Sequence, residues 1–300
     1  MSTKQYRKFL RPEVVSKLAN MTLRARLVVE GFIVGLHRSP YHGFSVEFAE
    51  HRQYMPGDEI KHLDWKVYGK TDRFYVKQFE EETNLKSYIL LDASGSMGYA
   101  SNAISKLNYA SYLAAALTYL MLKQQDSVGL VIFDQKIRKY VPPRSISTYL
   151  TLILKELDKV KSSHLTNVST AFHQLAERIK RRGLIIVLSD LFDEPERVLN
   201  GLKHFRHKKH EVIVFHILDP KERHFDFGGE VIFKDLETGE QILTQPWHIR
   251  QDYRQQMQDF LSFYRRQCLE NRIDYVLMDT SEPFDKALFE YLIKRKKIGG

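Results

Sequence analysis

Asp92, Ser94 and Ser96 stand at alternate positions of Asp92-Ala93-Ser94-Gly95-Ser96, directly after the apolar run Tyr88-Ile89-Leu90-Leu91. One carboxylate and two hydroxyls on a single turn are hard oxygen donors. They suit Mg²⁺ or another hard divalent cation rather than zinc. A strand ending in such a turn presents them at the carboxyl edge of a sheet, where open α/β folds bind ligands. The pentapeptide alone does not decide the matter, because Asp and Ser are also ordinary turn formers. Two later segments offer oxygen at the same kind of position. Leu165-Thr166-Asn167-Val168 opens a stretch with Val168, Ala171, Phe172 and Leu175 at helical spacing. Leu184-Ile185-Ile186-Val187-Leu188-Ser189-Asp190 is a second apolar strand ending in an acid.

The elements that must position these residues are legible from Lys86 onward. The pattern predicts strands at 87–92, 127–133, 137–141, 184–189, 211–218 and 275–278. Between them it predicts helices at about Ile104 to Lys123, then 146–161, 167–182, 195–207, 249–271 and 284–296. Strands that are near-continuous hydrophobic runs between helices argue for a parallel sheet covered on both faces, a doubly wound α/β domain. One segment breaks the alternation. From 225 to 244, two short strands around a Gly-containing turn read as a β-hairpin insertion that projects from the domain.

Residues 1–85 differ in character. Arg11 to Val34 reads as a helix, Phe44, Val46 and Phe48 alternate as in a half-exposed strand, Met55-Pro56-Gly57-Asp58 is a turn, and Phe74 to Phe79 reads as a second strand. No linker or low-complexity segment separates this part from the rest. The expected division is therefore an amino-terminal α+β extension over 1–85, packed on an α/β domain over 86–300. Arg38, Glu47, Arg52, Asp58 and Asp64 supply either an ion-pair network that holds an irregular region together or a docking surface.

Composition narrows the classes. Three hundred residues with 43% hydrophobic content can bury a large core. No apolar run reaches the roughly 20 residues of a membrane span, and no signal-peptide h-region follows the charged start. The single cysteine, Cys268, excludes an internal disulfide framework and leads us to expect a reduced, cytoplasmic protein. The net charge of +9 comes in part from Lys180-Arg181-Arg182, the His204 to His210 segment and Lys294-Arg295-Lys296-Lys297. Each lies near an expected helix C-terminus, where cations complement the helix dipole. Solvated helix ends are therefore the preferred reading over nucleic-acid binding.

The Asp-x-Ser-x-Ser turn, the distant Thr166-Asn167-Val168 followed by Ala171, and Ser189-Asp190 after a buried strand together resemble the metal-ion-dependent adhesion site (MIDAS) of von Willebrand factor A domains. By that resemblance Asp92, Ser94, Ser96, Thr166 and Asp190 are metal ligands, some acting through water. The ion would be Mg²⁺, Mn²⁺ or Ca²⁺, and the fold from about Lys86 to Lys294 a doubly wound, Rossmann-type sheet. Asp134 follows the strand at 127–133 at the same edge, where a turn role is favoured over support of the ligands. Upstream, a loose Gly43-Phe44-Ser45-Val46-Glu47-Phe48, then Pro56-Gly57-Asp58 and Leu63-Asp64-Trp65, are similar to the domain of unknown function 58 family. Members are typically encoded beside MoxR-type AAA+ ATPases, and in Bacteroidetes they accompany the aerotolerance (Bat) proteins. The resemblance implies a non-enzymatic adaptor in a chaperone-like or complex-maturation system. In such a site an exchangeable position on the cation accepts a Glu or Asp of a protein partner.

Enzyme chemistry finds little support. There is no Gly-x-x-x-x-Gly-Lys-Ser/Thr, no Gly-x-Gly-x-x-Gly after a strand and no His-Glu-x-x-His. Ser94 lacks the glycine two residues earlier that a nucleophile elbow needs, since Asp92 stands there. The surviving alternative is a metal-assisted hydrolase that uses Asp92 and Asp190 to activate water.

Overall fold

The computed structural model describes residues 12–16, 20–37, 51–53, 68–69, 72, 74–77, 85–163, 168–229, 231–234 and 241–299. Two helices, α1 (Pro12–Ser16) and α2 (Met21–His37), and two short strands, β1 (His51–Gln53) and β2 (Tyr75–Lys77), come first. The alternating part runs β3 (Lys86–Asp92), α3 (Lys106–Lys123), β4 (Ser127–Phe133), β5 (Ile137–Arg144), α4 (Thr148–Lys159), α5 (Val168–Arg178), β6 (Leu184–Ser189) and α6 (Pro195–His207). It continues with β7 (Glu211–Leu218), α7 (Pro220–His224), β8 (Val231–Lys234), β9 (Gln241–Thr244), α8 (Pro246–Glu270), β10 (Asp274–Asp279) and α9 (Asp285–Gly299).

Six strands form one sheet in the order β10-β7-β6-β3-β4-β5. All neighbours pair in parallel except β5, which runs antiparallel to β4 at the edge. This is the expected doubly wound α/β architecture, and the reversed edge strand is a feature that the sequence pattern did not reveal. The central strands are buried on both faces, β4 and β6 along their whole length, because helices cover both sides. Side chains alternate across the pleat. Ile89 and Leu91 of β3 join a core with α3 and α9, while Tyr88 and Leu90 join a second core with α5 and α6. β3 lies between β4 and β6, so the chain order reverses beside it. That is the topological switch point where open sheets hold ligands.

The edge strand extends beyond its expected end at Val141 and takes in Pro142 and Pro143. Proline is tolerated at an edge because only one side of the strand must bond. The β4–β5 register shifts between Val128 and Leu130. Gly129 accommodates this shift, since a Cβ there would meet the Val141 carbonyl oxygen at 2.6 Å.

At the amino-terminal end, the single helix expected over Arg11 to Val34 is two helices. Asn20 Oδ1 accepts the Leu23 amide at 2.9 Å and so caps a new helix start. Met21, Ala25, Val28, Val29 and Phe32 of α2 join the core built on α3. The expected strand around Phe44–Phe48 and the Met55–Asp58 turn lie outside the described residues. The strand expected from Phe74 is present as β2, paired antiparallel with β1, which carries no sequence signal of its own. The hairpin is present as β8 and β9. It does not simply project: Phe233 stacks on Phe225 at 5.6 Å, and Phe225 on Tyr253 of α8 at 4.2 Å. Among the described residues no helix is long and apolar enough to cross a membrane.

Candidate metal site

Asp92 ends β3 with its side chain fully buried. Its Oδ1 accepts the Ser94 amide at 2.9 Å, an Asx turn that bends the chain off the strand. Its Oδ2 accepts the Ser189 hydroxyl at 2.6 Å, from the end of the neighbouring β6. The turn brings Ser94 Oγ and Ser96 Oγ to 3.2 Å of each other. Thus the alternate spacing noted in the sequence sets the Ser94 hydroxyl beside the carboxylate and the Ser96 hydroxyl beside Ser94, and parallel pairing of β3 with β6 delivers the second strand end.

Asp190 lies one residue beyond β6. Its Oδ1 accepts the Phe192 amide at 3.2 Å. The intervening Leu191 is left-handed, with φ of 55°, and its amide donates to Ser189 Oγ at 2.9 Å. A non-glycine residue in that region costs about 1–2 kcal/mol, and such strain concentrates at functional sites. Here it coincides with the sharp turn that carries a candidate ligand.

Thr166 lies outside the described residues. The residues on either side of that segment are tied to the site. The Ser163 amide donates to the Ala93 carbonyl at 2.8 Å, and the Val168 amide, at the start of α5, donates to Asp193 Oδ2 at 2.9 Å. Asp134 accepts the Lys136 amide at 3.1 Å, the turn role favoured from the sequence. Cys268 is buried, and burial pushes its thiol up to about 12, which fits a structural residue.

Two site residues were not found by reading the sequence. Lys106 Nζ lies 2.7 Å from Asp190 Oδ2 and 2.6 Å from Glu222 Oε1, and the lysine has no exposure. Glu222 belongs to the short helix α7, where its Oε2 accepts the Asp219 amide in a capping box. Asp219 Oδ2 in turn accepts the Ser101 amide at 2.8 Å, so the same helix start holds the loop that follows the serines. One sequence signal for Lys106 existed. It is the first residue of α3, after the cap Ser105, and a cation at a helix N-terminus opposes the macrodipole. A buried lysine in that place needs carboxylates near it.

A family model described as "Protein of unknown function DUF58" matches residues 50–260. The chain belongs to the DUF58 family. Among its relatives is an uncharacterized protein of Mycobacterium tuberculosis, 25% identical over 231 residues that make up 76% of this chain and 72% of the relative. Solved structures similar to this DUF58 chain include BatB from Bacteroides thetaiotaomicron, a conserved hypothetical protein. It is 18% identical, with a TM-score of 0.47, and the match covers 71% of this chain and 99% of that one. The SpRpn10 VWA domain is 12% identical, with a TM-score of 0.38, over 69% of this chain and 94% of that one.

The electrostatics of this DUF58 site follow from burial. Burial first, and the Asp190 carboxylate second, push the Asp92 carboxyl up to about 7 against the hydrogen bonds from Ser189 and Ser94. Burial also raises Glu222 to about 7, with Asp190 adding to the shift and Lys106 opposing it. Burial would lower the Lys106 ammonium, but Asp190 and Glu222 outweigh it and hold the lysine above its ordinary value. Both ends of the Lys106–Glu222 pair are thus shifted upward, which keeps the lysine charged but makes the buried glutamate easier to protonate. One charged lysine serves two carboxylates and cannot neutralise both, with the Asp92 carboxylate beyond them.

Among the described residues no three His, Cys, Asp or Glu side chains gather in a metal-holding cluster. The donors that do gather are Asp92, Asp190 and the two serine hydroxyls. They are all hard oxygen donors with lone pairs left over from the hydrogen bonds above, and their carboxylates repel one another in a dry setting. That donor set fits a hard divalent cation.

Proposed function

We infer that the chain is a metal-dependent protein-interaction adaptor. It would work in the cytoplasm with a MoxR-type AAA+ ATPase, or a client of one, in a chaperone-like or complex-maturation system. The observation that carries this reading is that Asp92 and Asp190 are two buried carboxylates at the switch point of the sheet, near enough for the Asp190 charge to act on Asp92, with the Ser94 hydroxyl beside the first and that of Ser96 beside Ser94. A von Willebrand A-like fold favours an interaction role, and family membership favours the ATPase connection. In this reading Asp92, Ser94, Ser96 and Asp190, with Thr166, hold Mg²⁺, Mn²⁺ or Ca²⁺. The bound ion would offer an open coordination position to a carboxylate of the partner. The residues themselves fix ligand geometry: the Asx turn at Asp92 aims the serines, Ser189 locks the Asp92 carboxylate, and the Leu191 turn aims Asp190. No nucleophile or proton relay is required.

The test is calorimetric titration of Mg²⁺ and Mn²⁺ into metal-stripped wild-type and Asp92→Ala protein, each repeated with a MoxR-type AAA+ ATPase from the same organism present. Metal binding by the wild type alone, with a tighter complex when metal is added, is the expected result. Equal ATPase affinity for the two proteins would rule out metal-mediated docking. One observation favours a second reading: a carboxyl held near 7, as at Asp92, lies in the range of a general base. Hydrolysis of phosphomonoester or phosphodiester substrates with Mn²⁺, lost in Asp92→Ala, would select the hydrolase reading instead.

A further inference from the structure

Lys106 sits where an apolar residue would serve the fold better. It opens a helix whose residues from Leu107 to Met121 are almost all buried. The ammonium is desolvated and placed at the positive end of the helix dipole. Two acids from distant parts of the chain converge on it, 84 and 116 residues away in sequence. Its Nζ also lies 4.7 Å from the centre of the Phe192 ring, so the site around it is walled by aromatic surface as well as by charge.

We propose that Lys106 is a built-in counter-cation that competes with the divalent metal for Asp190, with Glu222 as the acceptor that keeps the lysine when Asp190 turns to the metal. The inference rests on the metal-site reading of Asp92, Ser94, Ser96 and Asp190, and it assigns that site its regulation. The geometry has the parts such a device requires. The ammonium has three donors. One is on a candidate ligand, at 2.7 Å, and another is on a carboxylate outside the ligand set, at 2.6 Å. Glu222 is itself fixed, because its second oxygen accepts the Asp219 amide at 3.1 Å. The lysine can therefore release Asp190 without losing its last partner.

The consequence is a site tuned to weak metal binding. A divalent ion at Asp92 and Asp190 lies close to a buried ammonium, and like charges in a partly dry site repel strongly. A partner's carboxylate arriving at the metal offsets that repulsion. Metal and acidic partner therefore bind the site cooperatively, each making the other's binding more favourable.

The test uses full-length, metal-stripped wild type, Lys106→Met and Glu222→Gln. Mn²⁺ affinity is read by calorimetry, and thermal unfolding is followed with and without Mn²⁺. Lys106→Met is expected to bind Mn²⁺ about tenfold or more tightly, since the competing charge is gone. Its metal-free form is expected to melt lower than wild type and to gain more from added Mn²⁺. Glu222→Gln is expected to bind several-fold more weakly, because the lysine then leans on Asp190 alone. Should Lys106→Met fail to fold without metal, Glu222→Gln decides by itself, and unchanged or tighter binding there overturns the proposal. If wild type binds Mn²⁺ and both variants match it, the lysine inference falls while the metal site stands. If no protein binds Mn²⁺ at all, both fall together.

Discussion

Two buried charge clusters lie at opposite edges of the parallel sheet. At the amino end of β4, Asp126 faces one base and one phenol: Arg295 Nε at 2.6 Å and the Tyr291 hydroxyl at 3.0 Å. Burial pushes the Asp126 carboxyl up, and Arg295 and Tyr291 work against that shift. At the carboxyl edge, Asp190 and Glu222 share the single ammonium of Lys106, and the Asp92 carboxylate, which the Asp190 charge reaches, has no cation of its own among the described contacts. The first cluster matches acid to base and clips the last helix to the sheet. The second carries carboxylate in excess of its cation, at the place where the fold binds ligands. Matched buried charge is what a fold needs to tolerate a polar group. Unmatched buried charge destabilises the fold unless something else arrives to balance it.

The sharpest way to break this comparison is to neutralise one acid in each cluster. Asp92→Asn is expected to abolish Mn²⁺ binding, with no heat signal in calorimetry, while the chain stays folded by circular dichroism. Asp126→Ala is expected to do the reverse. It removes the buried carboxylate that Arg295 and Tyr291 both bond and should lower unfolding free energy in urea by about 3 kcal/mol, with Mn²⁺ affinity unchanged. If Asp126→Ala weakens metal binding as much as Asp92→Asn, the two clusters are not independent and the contrast fails.

The pH profile separates them further. The Asp92 carboxyl is raised from 3.8 to about 7 in the fold, so the folded chain holds this proton more tightly than the unfolded one. Its contribution to stability is full below the unfolded value and is lost as pH rises through about 7. The Tm of metal-free wild type should therefore fall from about pH 4 to about pH 7 relative to Asp92→Asn. Mn²⁺ should strengthen as pH rises over the same window, because the ligands must be deprotonated. A difference between the two proteins that stays flat with pH would contradict the raised value. The smallest expected effect is that of Ser94→Ala, which removes one hydroxyl donor and should weaken Mn²⁺ about tenfold, with the Asp92→Ala result as the lower limit.

The fold was legible where burial and periodicity agree. The strands at 127–133, 184–189 and 211–218 and the helix at 195–207 stand where their patterns put them, because a strand covered on both faces must be apolar throughout and an amphipathic helix must alternate. Asp92, Ser94 and Ser96 were legible for a local reason, since one turn brings them together. Lys106 and Glu222 were not, because their meeting depends on α3 and α7 reaching the same strand ends from remote parts of the chain. The short helix α7 was itself missed: five residues give no periodicity to read. The proline-bearing end of β5 was missed because proline reads as a stop, and only the sheet order shows that this strand is an edge.

That edge strand has a consequence for how the molecule behaves in company. An open strand edge is a template on which other chains can extend the sheet. Here β5 offers Pro142 and Pro143, which lack the amide hydrogens such extension requires, and it sets Arg138, Lys139 and Arg144 along the same stretch. Crowded with copies of itself, the chain resists growing into a shared sheet or a fibre from that side.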